Sequence, residues 1–401
     1  MQNINDIARG MLLSRWNSGL KDTQVIVREG LKVRLAGSAT GGPGVETLEL
    51  HVRNPRFFSR TLSLGSLGLG EAYMDEDYDV AGGVERLYLA LARNRLNFKS
   101  RFDPVFALKY LIVLAGNWLA ARTRRIDAHY SHGDELYDLF LGDPLLVYTS
   151  GYALRKDDDL DTMQRRKMDR VCEKIELKSG ETLLDIGCGW GGFLVYAARK
   201  YGIRGTGLNV SRDQVASGTR RIEQAGLSDR VELRFGDHRS APGQYDKVTS
   251  IGMIEHLRES EYVEFARAVA GYLKPGGLAI IHGIGNSAAV NRHDPFVQKY
   301  LFPGSNQPLL SQLVRACELA GLVVLDVENY IRSYYLTMLR WQENFVANRH
   351  KLDPVRYPPR FIRMWEIYIA WGLAAARYST GANFELLVTN DPMRDHPLGR
   401  V

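Results

Sequence analysis

Leu184-Asp185-Ile186-Gly187-Cys188-Gly189-Trp190-Gly191-Gly192 decides the reading of this chain, because it stands where a strand should hand over to a helix. Residues 181–186 form a short, largely apolar run, while Phe193, Leu194, Ala197 and Ala198 downstream have helical spacing. Glycine has no Cβ, so such a turn lets backbone N–H groups and a helix N-terminus approach a ligand closely. The spacing of Gly187, Gly189 and Gly192 also satisfies G-x-G-x-x-G, so the glycines alone would equally hold NAD. Asp185, two residues before the first glycine, separates the alternatives. A carboxylate in that turn repels a pyrophosphate but suits the ammonium of a methionine-like ligand. S-adenosylmethionine is therefore the cofactor expected, with Gly187, Cys188 and Gly189 forming the loop around it.

A dinucleotide fold expects Asp or Glu about 20 residues after the glycines, on the ribose. Asn209 stands there, followed by Ser211 and Gln214, so neutral hydrogen bonds must serve and NAD is disfavoured. Further along, strands are predicted at 181–187, 202–210, 231–237, 245–253, 277–285, 321–329 and 385–390, the fifth preceded by a Lys274-Pro275-Gly276-Gly277 turn. Helices are predicted at about 191–201, 211–226, 259–273, 309–320 and 360–378. The alternation predicts an α/β, Rossmann-like, doubly wound sheet with its ligand at the carboxyl ends of the strands. Asp237-His238-Arg239 closes the third strand, Glu255-His256 closes the fourth, and His282 interrupts the fifth. A lone strand histidine is more often a core residue than a ligand. Three polar groups at consecutive strand ends would instead ring one crevice. The segment 286–308, with Pro295, Pro303 and Pro308, is read as an insertion covering the site.

At 401 residues the chain exceeds a single hydrophobic core, and two domains are expected. The division is placed at 1–125, a smaller α+β or helical domain, and 126–401, the catalytic domain. Within the first, residues 24–80 read as short strands and turns, and Val84, Leu87, Tyr88 and Leu91 as one stripe of a helix. A second helix is expected after Pro104, and 122–129 as a linker. Hydrophobic residues at 45% and charged residues at 24% exclude a disordered chain. Cys172, Cys188 and Cys317 are too few and scattered for a disulfide framework or a zinc site, so no metal and a reduced, cytoplasmic compartment are expected. The N-terminus has no secretory pattern.

Residues 106–121 are apolar but interrupted by Lys109 and Asn117, and fall short of the roughly 20 residues that span a bilayer. Their setting is basic. Arg86, Arg93, Arg95, Lys99, Arg101, Lys109, Arg122, Arg124 and Arg125 face one acid, Asp103, a local +8 against +6 for the whole chain. This is either a solvated face or a peripheral contact with an anionic membrane, where each basic residue contributes about 1 kcal/mol. No nucleic-acid motif accompanies the charge, so nucleic acid is not the expected partner.

Met253-Ile254-Glu255-His256 and Ile281-His282-Gly283-Ile284-Gly285 resemble motifs of the cyclopropane-fatty-acid synthases. So do His129-Tyr130 with Gly133-Asp134-Glu135-Leu136-Tyr137, and Tyr148-Thr149-Ser150-Gly151-Tyr152. Asn54 to Phe58 and Gly65 to Asp75 are similar to the N-terminal domain of that family's long bacterial form, so the resemblance runs from about residue 45 to 390. It implies methylation of a cis double bond in a phospholipid acyl chain by S-adenosylmethionine, at the inner face of a membrane and in a homodimer. An alkene is a poor nucleophile, so the site must be dry and the methyl aimed at the π bond. Attack leaves a carbocation, which aromatic faces stabilise. A base then removes a proton and the ring closes.

The resemblance makes that base a bicarbonate, held by Ser150, Glu255, His282, the Ile284 backbone and Tyr334, with Tyr335 as fallback. It adds Tyr148 and Thr149 to the cofactor set of Asp185, Gly187, Cys188, Gly189, Asn209, Ser211, Gln214, Asp237 and His238. A buried carboxylate such as Glu255 can stand beside an anion only if it is protonated or other groups donate to that anion. Ser150 replaces a usual Cys, Ser131 an Asp, Asp134 an Asn and Asn209 a Thr, and Ala382-Asn383-Phe384 departs from an Asp-Ile-Gln-like run. These changes keep a methylene or methyl-branched product open beside the ring. A methyltransferase for a soluble metabolite would not need the basic N-terminal domain. A non-catalytic lipid binder would not need Asp185, Glu255, His282 and Tyr334 together.

Overall fold

Val25 and Val27 alternate inward along β1 (Thr23–Glu29), which pairs antiparallel with β2 (Lys32–Gly37) and parallel with β3 (Glu46–Val52). With β4 (Tyr78–Val80) the order is β2-β1-β3-β4. This sheet belongs to a computed structural model that describes residues 4–38, 44–96, 133–142, 145–288 and 294–394. The helix expected after Pro104, the apolar run 106–121, the linker 122–129, His129-Tyr130, Ser131, most of the basic run and the proposed boundary at 125 lie outside the described residues.

Two units emerge. One comprises Met1–Thr123, Asp294–Pro303 and Arg349–Ser379; the other comprises Arg124–His293, Gly304–Asn348 and Thr380–Val401. The division is thus not a single cut. Pro295–Tyr300 and Pro359–Tyr378, read from sequence as an insertion and a helix of the catalytic domain, group with the N-terminal sheet. The contacts explain it: Lys299 and Tyr300 both bond Glu71 Oε1, at 2.6 and 2.8 Å, and Tyr73 donates to Glu366 at 2.8 Å.

Two helices, Arg56–Leu64 and Ser66–Met74, correct the expectation of strands and turns over 24–80. Gly65, Gly68 and Gly70 hide the helical signal, yet tight packing requires one of them: a Cβ on Gly68 would lie 2.0 Å from the Arg60 carbonyl oxygen. The helix Val84–Arg93 buries Val84, Leu87, Tyr88 and Leu91 as its stripe predicts. Two members of the basic run are already paired there, Arg86 with Glu46 and Arg93 with Asp22 and Glu46.

The second unit carries β5 (Thr182–Ile186), β6 (Arg204–Asn209), β7 (Val231–Phe235), β8 (Tyr245–Ile251), β9 (Leu273–Asn286), β10 (Val323–Asn329) and β11 (Gly381–Thr389) in the order β10-β11-β9-β8-β5-β6-β7. All neighbours from β9 to β7 are parallel, while β11 runs antiparallel to both β9 and β10. The chain reverses direction across the sheet between β5 and β8, which puts a crevice at their carboxyl ends. Helices Gly192–Tyr201, Arg212–Gln224, Tyr262–Tyr272 and Leu310–Leu319 fall where the alternation predicts. The Lys274-Pro275-Gly276-Gly277 turn is absorbed into β9, with a register shift between Tyr245 and Lys247 opposite it. Helices Leu160–Lys174 and Ile331–Asn348 are additions to the sequence reading. Among the described residues no helix is long and apolar enough to cross a membrane.

Candidate active site

The glycine turn follows β5 as predicted. Gly187 and Gly189 have φ of 83° and 56°, values that side chains strain to adopt. The N–H groups of Gly187 and Cys188 donate to the Leu208 carbonyl at 2.8 and 3.0 Å, which ties the turn to β6. Nothing lies within 4 Å of a Cβ built on Gly189, so the turn opens onto free space beside a helix N-terminus. Such a cradle fits S-adenosylmethionine. Asp185 is buried and accepts from Thr249 Oγ1 at 2.9 Å; burial pushes its carboxyl up to about 6, against the pull of Thr249 and Lys167. Burial also pushes the Cys188 thiol well up, making it wall rather than nucleophile.

The neutral residues after β6 brace this turn. Asn209 Nδ2 donates to Gly189 O at 3.0 Å and to Gln214 Oε1 at 2.8 Å, while Asn209 Oδ1 accepts from Ser211 N at 3.0 Å. Ser211 caps the helix Arg212–Gln224 by accepting from Gln214 N at 3.3 Å. Asp237 is held by Arg239, whose hydrogen bonds bring its carboxyl down to about 2; His238 packs edge-on against Phe265 at 5.7 Å.

Tyr148 stands in an aromatic cluster, 5.4 Å from Tyr137, 5.5 Å from Phe140 and 5.3 Å from Trp341. Trp341 also meets Tyr334 edge-on at 6.2 Å, so Tyr334 shares the helix face that looks toward Tyr148. The sequence missed this helix because its buried face uses Ser333 and Thr337, whose hydroxyls accept from Ala153 N at 3.1 Å and Gly151 N at 3.0 Å. Trp190 Nε1 donates to Asp134 Oδ1 at 2.8 Å, and Ser217 bonds the same carboxylate.

Glu255 closes β8 as expected, and its surroundings are close. A Cβ on Gly283 would lie 2.6 Å from Glu255 Oε2, and Gly252 faces the Thr149 methyl on one side and Glu255 on the other. Asn306 N donates to the Glu255 carbonyl at 2.8 Å. Burial pushes the Glu255 carboxyl up to about 7, although the backbone N–H groups of Glu255 and Ile284 bond it. Its Oε2 has no hydrogen-bond partner among the described residues.

His282 looks elsewhere. Its Nε2 meets Asn383 Oδ1 at 2.9 Å and its Nδ1 faces Glu385 Oε2 at 3.7 Å, both on β11; burial holds the ring down at about 4. Ser150 is buried and donates to Gly151 O at 2.8 Å. Of the set read from the resemblance, the Ser150 hydroxyl, the Ile284 N–H and His282 Nε2 are turned to protein partners, whereas His282 Nδ1, like Glu255 Oε2, is buried with no hydrogen-bond partner among the described residues.

Sequence reasoning also missed Lys167, which is 1% exposed and donates to Thr149 Oγ1 at 3.0 Å, and Gln164, which donates to Thr149 O at 2.8 Å. Both lie on Leu160–Lys174, whose start was signalled by Asp159 accepting from Thr162 N at 2.7 Å.

Residues 119–382 match the family model described as mycolic acid cyclopropane synthetase. The chain belongs to that family. It is 33% identical over 341 residues to the cyclopropane-fatty-acyl-phospholipid synthase of Escherichia coli (strain K12), covering 83% of this chain and 85% of that one. A probable fatty acid methyltransferase of Pseudomonas putida is 34% identical over 277 residues, 67% of this chain and 70% of its own length. A mycolic acid cyclopropane synthase solved with SAH and CTAB shares the fold, with a TM-score of 0.61 and 23% identity over 66% of this chain and 96% of its own. The protein is an S-adenosylmethionine-dependent methyltransferase.

Proposed function

We propose that the protein adds a methylene bridge from S-adenosylmethionine across a cis double bond of an unsaturated phospholipid acyl chain, giving a cyclopropane. The observation that carries this is the match to the Escherichia coli synthase over 83% of the chain, which reaches beyond the catalytic unit into the N-terminal one. When bound, S-adenosylmethionine supplies an electrophilic methyl on a sulfonium. The chain's own residues do the rest. Gly187 and Gly189 leave room for the cofactor, Asp185 offers a carboxylate to its ammonium, and Asn209 with Gln214 fixes the turn. Tyr148, Tyr334 and Trp341 present aromatic faces, which stabilise positive charge on the acyl chain as it develops. The basic run around residues 86–125 supports peripheral contact with an anionic inner leaflet, and a homodimer is the assembly the resemblance implies.

The test is direct. Purified protein, labelled S-adenosylmethionine and vesicles of an unsaturated phospholipid should yield a labelled acyl chain whose new carbon resists mild hydrogenation, as a ring does. Vesicles with anionic lipid should be modified faster than neutral ones, and the difference should shrink with salt, since such attraction is screened within about 10 Å at 0.1 M. No label in lipid would refute the reading. A second product, a methylene or methyl branch, is favoured by one observation: Ser150 turns its hydroxyl onto Gly151 O. The same hydrogenation distinguishes the methylene branch, which is reduced, and mass spectrometry distinguishes the methyl branch, whose saturated chain carries two more hydrogens than the ring.

A further inference from the structure

The methionine end of S-adenosylmethionine carries two charges, and Asp185 answers one of them, the ammonium. A carboxylate brought into the same dry crevice needs a cation or strong donors, because burying it unpaired is costly. Arg239, Arg170 and Lys174 are engaged by the protein's own acids: Asp237 for the first, Glu328 for the second, and Asp326, Glu328 and Glu385 for the third. Lys167 is differently placed. It is 1% exposed on the helix Leu160–Lys174 and donates to Thr149 Oγ1 at 3.0 Å. Thr149 in turn reaches the carboxyl end of β8, where a Cβ on Gly252 would lie 2.7 Å from its methyl. Burial raises the Asp185 carboxyl, and Thr249 and the positive field of Lys167 pull it back. The same field adds to the burial that lowers the His282 ring, so the lysine's charge is felt on both sides of the crevice.

We propose that Lys167, acting through the Thr149 hydroxyl, positions and neutralises the carboxylate of the cofactor's methionine end, as Asp185 does its ammonium. Lys167 is then a positioning residue, and Thr149 is the group that meets the ligand. The inference rests on S-adenosylmethionine as cofactor, and not on the acyl acceptor of the reading above.

The local geometry suits this role. A hydroxyl that accepts from an ammonium is polarised, so it donates its own hydrogen more strongly. Among the described residues no bond takes that hydrogen of Thr149, which leaves it for a ligand oxygen. Gln164, one helical turn before Lys167 on the same face, donates to Thr149 O at 2.8 Å and to Val147 O at 3.3 Å. One helix thus fixes both the backbone and the hydroxyl of Thr149. From another side, Thr337 Oγ1 holds Gly151 N at 3.0 Å. Gly252, with φ of 78° and no side chain, lets Thr149 sit against the strand end.

The experiment measures calorimetric affinities of the full chain for three ligands that share an adenosine thioether. S-adenosylhomocysteine carries both ammonium and carboxylate, its decarboxylated analogue keeps only the ammonium, and 5′-methylthioadenosine has neither. Lys167→Met should weaken S-adenosylhomocysteine at least about tenfold, as loss of a charge-assisted hydrogen bond does, and leave the other two within about twofold. Thr149→Val keeps the side chain's shape and should show the same selective loss. The double variant should lose about as much as the larger single loss, because the two residues act as one unit. Asp185→Asn should give the complementary pattern, weakening both amine-bearing ligands and sparing 5′-methylthioadenosine. A Lys167→Met that weakens all three ligands alike makes the lysine a brace of the fold and overturns the proposal, as does one that weakens none. If Lys167→Met does not fold, Thr149→Val decides: an undiminished preference for S-adenosylhomocysteine over its decarboxylated analogue overturns the proposal. A selective loss in a protein that labels no lipid refutes the acyl reading and leaves this one standing.

Discussion

Glu255 at the end of β8 and Glu328 on β10 are both carboxyls that burial works to keep neutral, and they end far apart. Glu255 is raised to about 7 because only backbone N–H groups bond it. Glu328 falls to about 2, because hydrogen bonds from Arg170, Lys174 and Tyr330 outweigh its burial. That second region is a network. Lys174 Nζ reaches Asp326 at 2.9 Å, Glu385 at 2.9 Å and also Glu328, and Tyr330 bonds Glu385 at 2.6 Å and Glu328 at 2.8 Å. Lys174 is 4% exposed and Glu385 is fully buried. A buried charge is stable where cations and hydroxyls surround it, and is left titrating near neutrality where they do not. The molecule uses the first arrangement to lock β10 and β11 to the helix Leu160–Lys174, and the second beside its crevice.

The contrast can be broken most severely at Lys174. Lys174→Met strips the cation from three carboxylates and should cost about 3–5 kcal/mol, read as a lower urea midpoint at pH 7. Glu255→Gln should do the opposite. The folded-state value of Glu255 lies above its usual 4.5, so the stability it contributes is complete below that pH and is lost as pH rises through about 7. Replacing it should stabilise the fold by about 3 kcal/mol at pH 8 and by less than about 1 kcal/mol at pH 5, measured by the same denaturation. For Glu328 the sign reverses: its folded value is depressed, so its contribution is present above about 4.5 and lost as pH falls toward 2. The smallest effect is expected from Tyr330→Phe, which keeps the ring against Tyr152 but removes the shared hydroxyl. It should destabilise by about 1–2 kcal/mol and leave cofactor affinity unchanged in calorimetry.

The sequence makes the catalytic sheet legible because each strand is an apolar run between glycine or polar turns, and β5 to β11 fall within a few residues of expectation. It is silent where burial and polarity part company. Leu160–Lys174 buries Gln164, Lys167 and Lys174, and Ile331–Asn348 buries Ser333 and Thr337, so neither shows a clean apolar stripe. At the site, Asp185 and Glu255 could be placed at strand ends from spacing alone. What surrounds them could not. The Lys174–Glu385 contact spans 211 positions, and Asn383 lies 101 positions from His282, pairings that no local pattern encodes. The resemblance supplied roles for Ser150 and His282, but hydrogen-bond directions are a property of the folded chain.

The antiparallel strand β11 has a consequence for how the molecule is made. It lies between β9 and β10, yet among the described residues it is the last strand to leave the ribosome. Until it arrives, two strand edges already synthesised stand open with unpaired backbone groups, and Lys174 lacks Glu385. Domains form as units while synthesis proceeds from the N-terminus, so this sheet can close only when its final strand is inserted between two older ones. The nascent chain carries the open β9 edge from the completion of Asn286 until Gly381–Thr389 is made, which marks β9 and β10 as the segments a chaperone would have to shield.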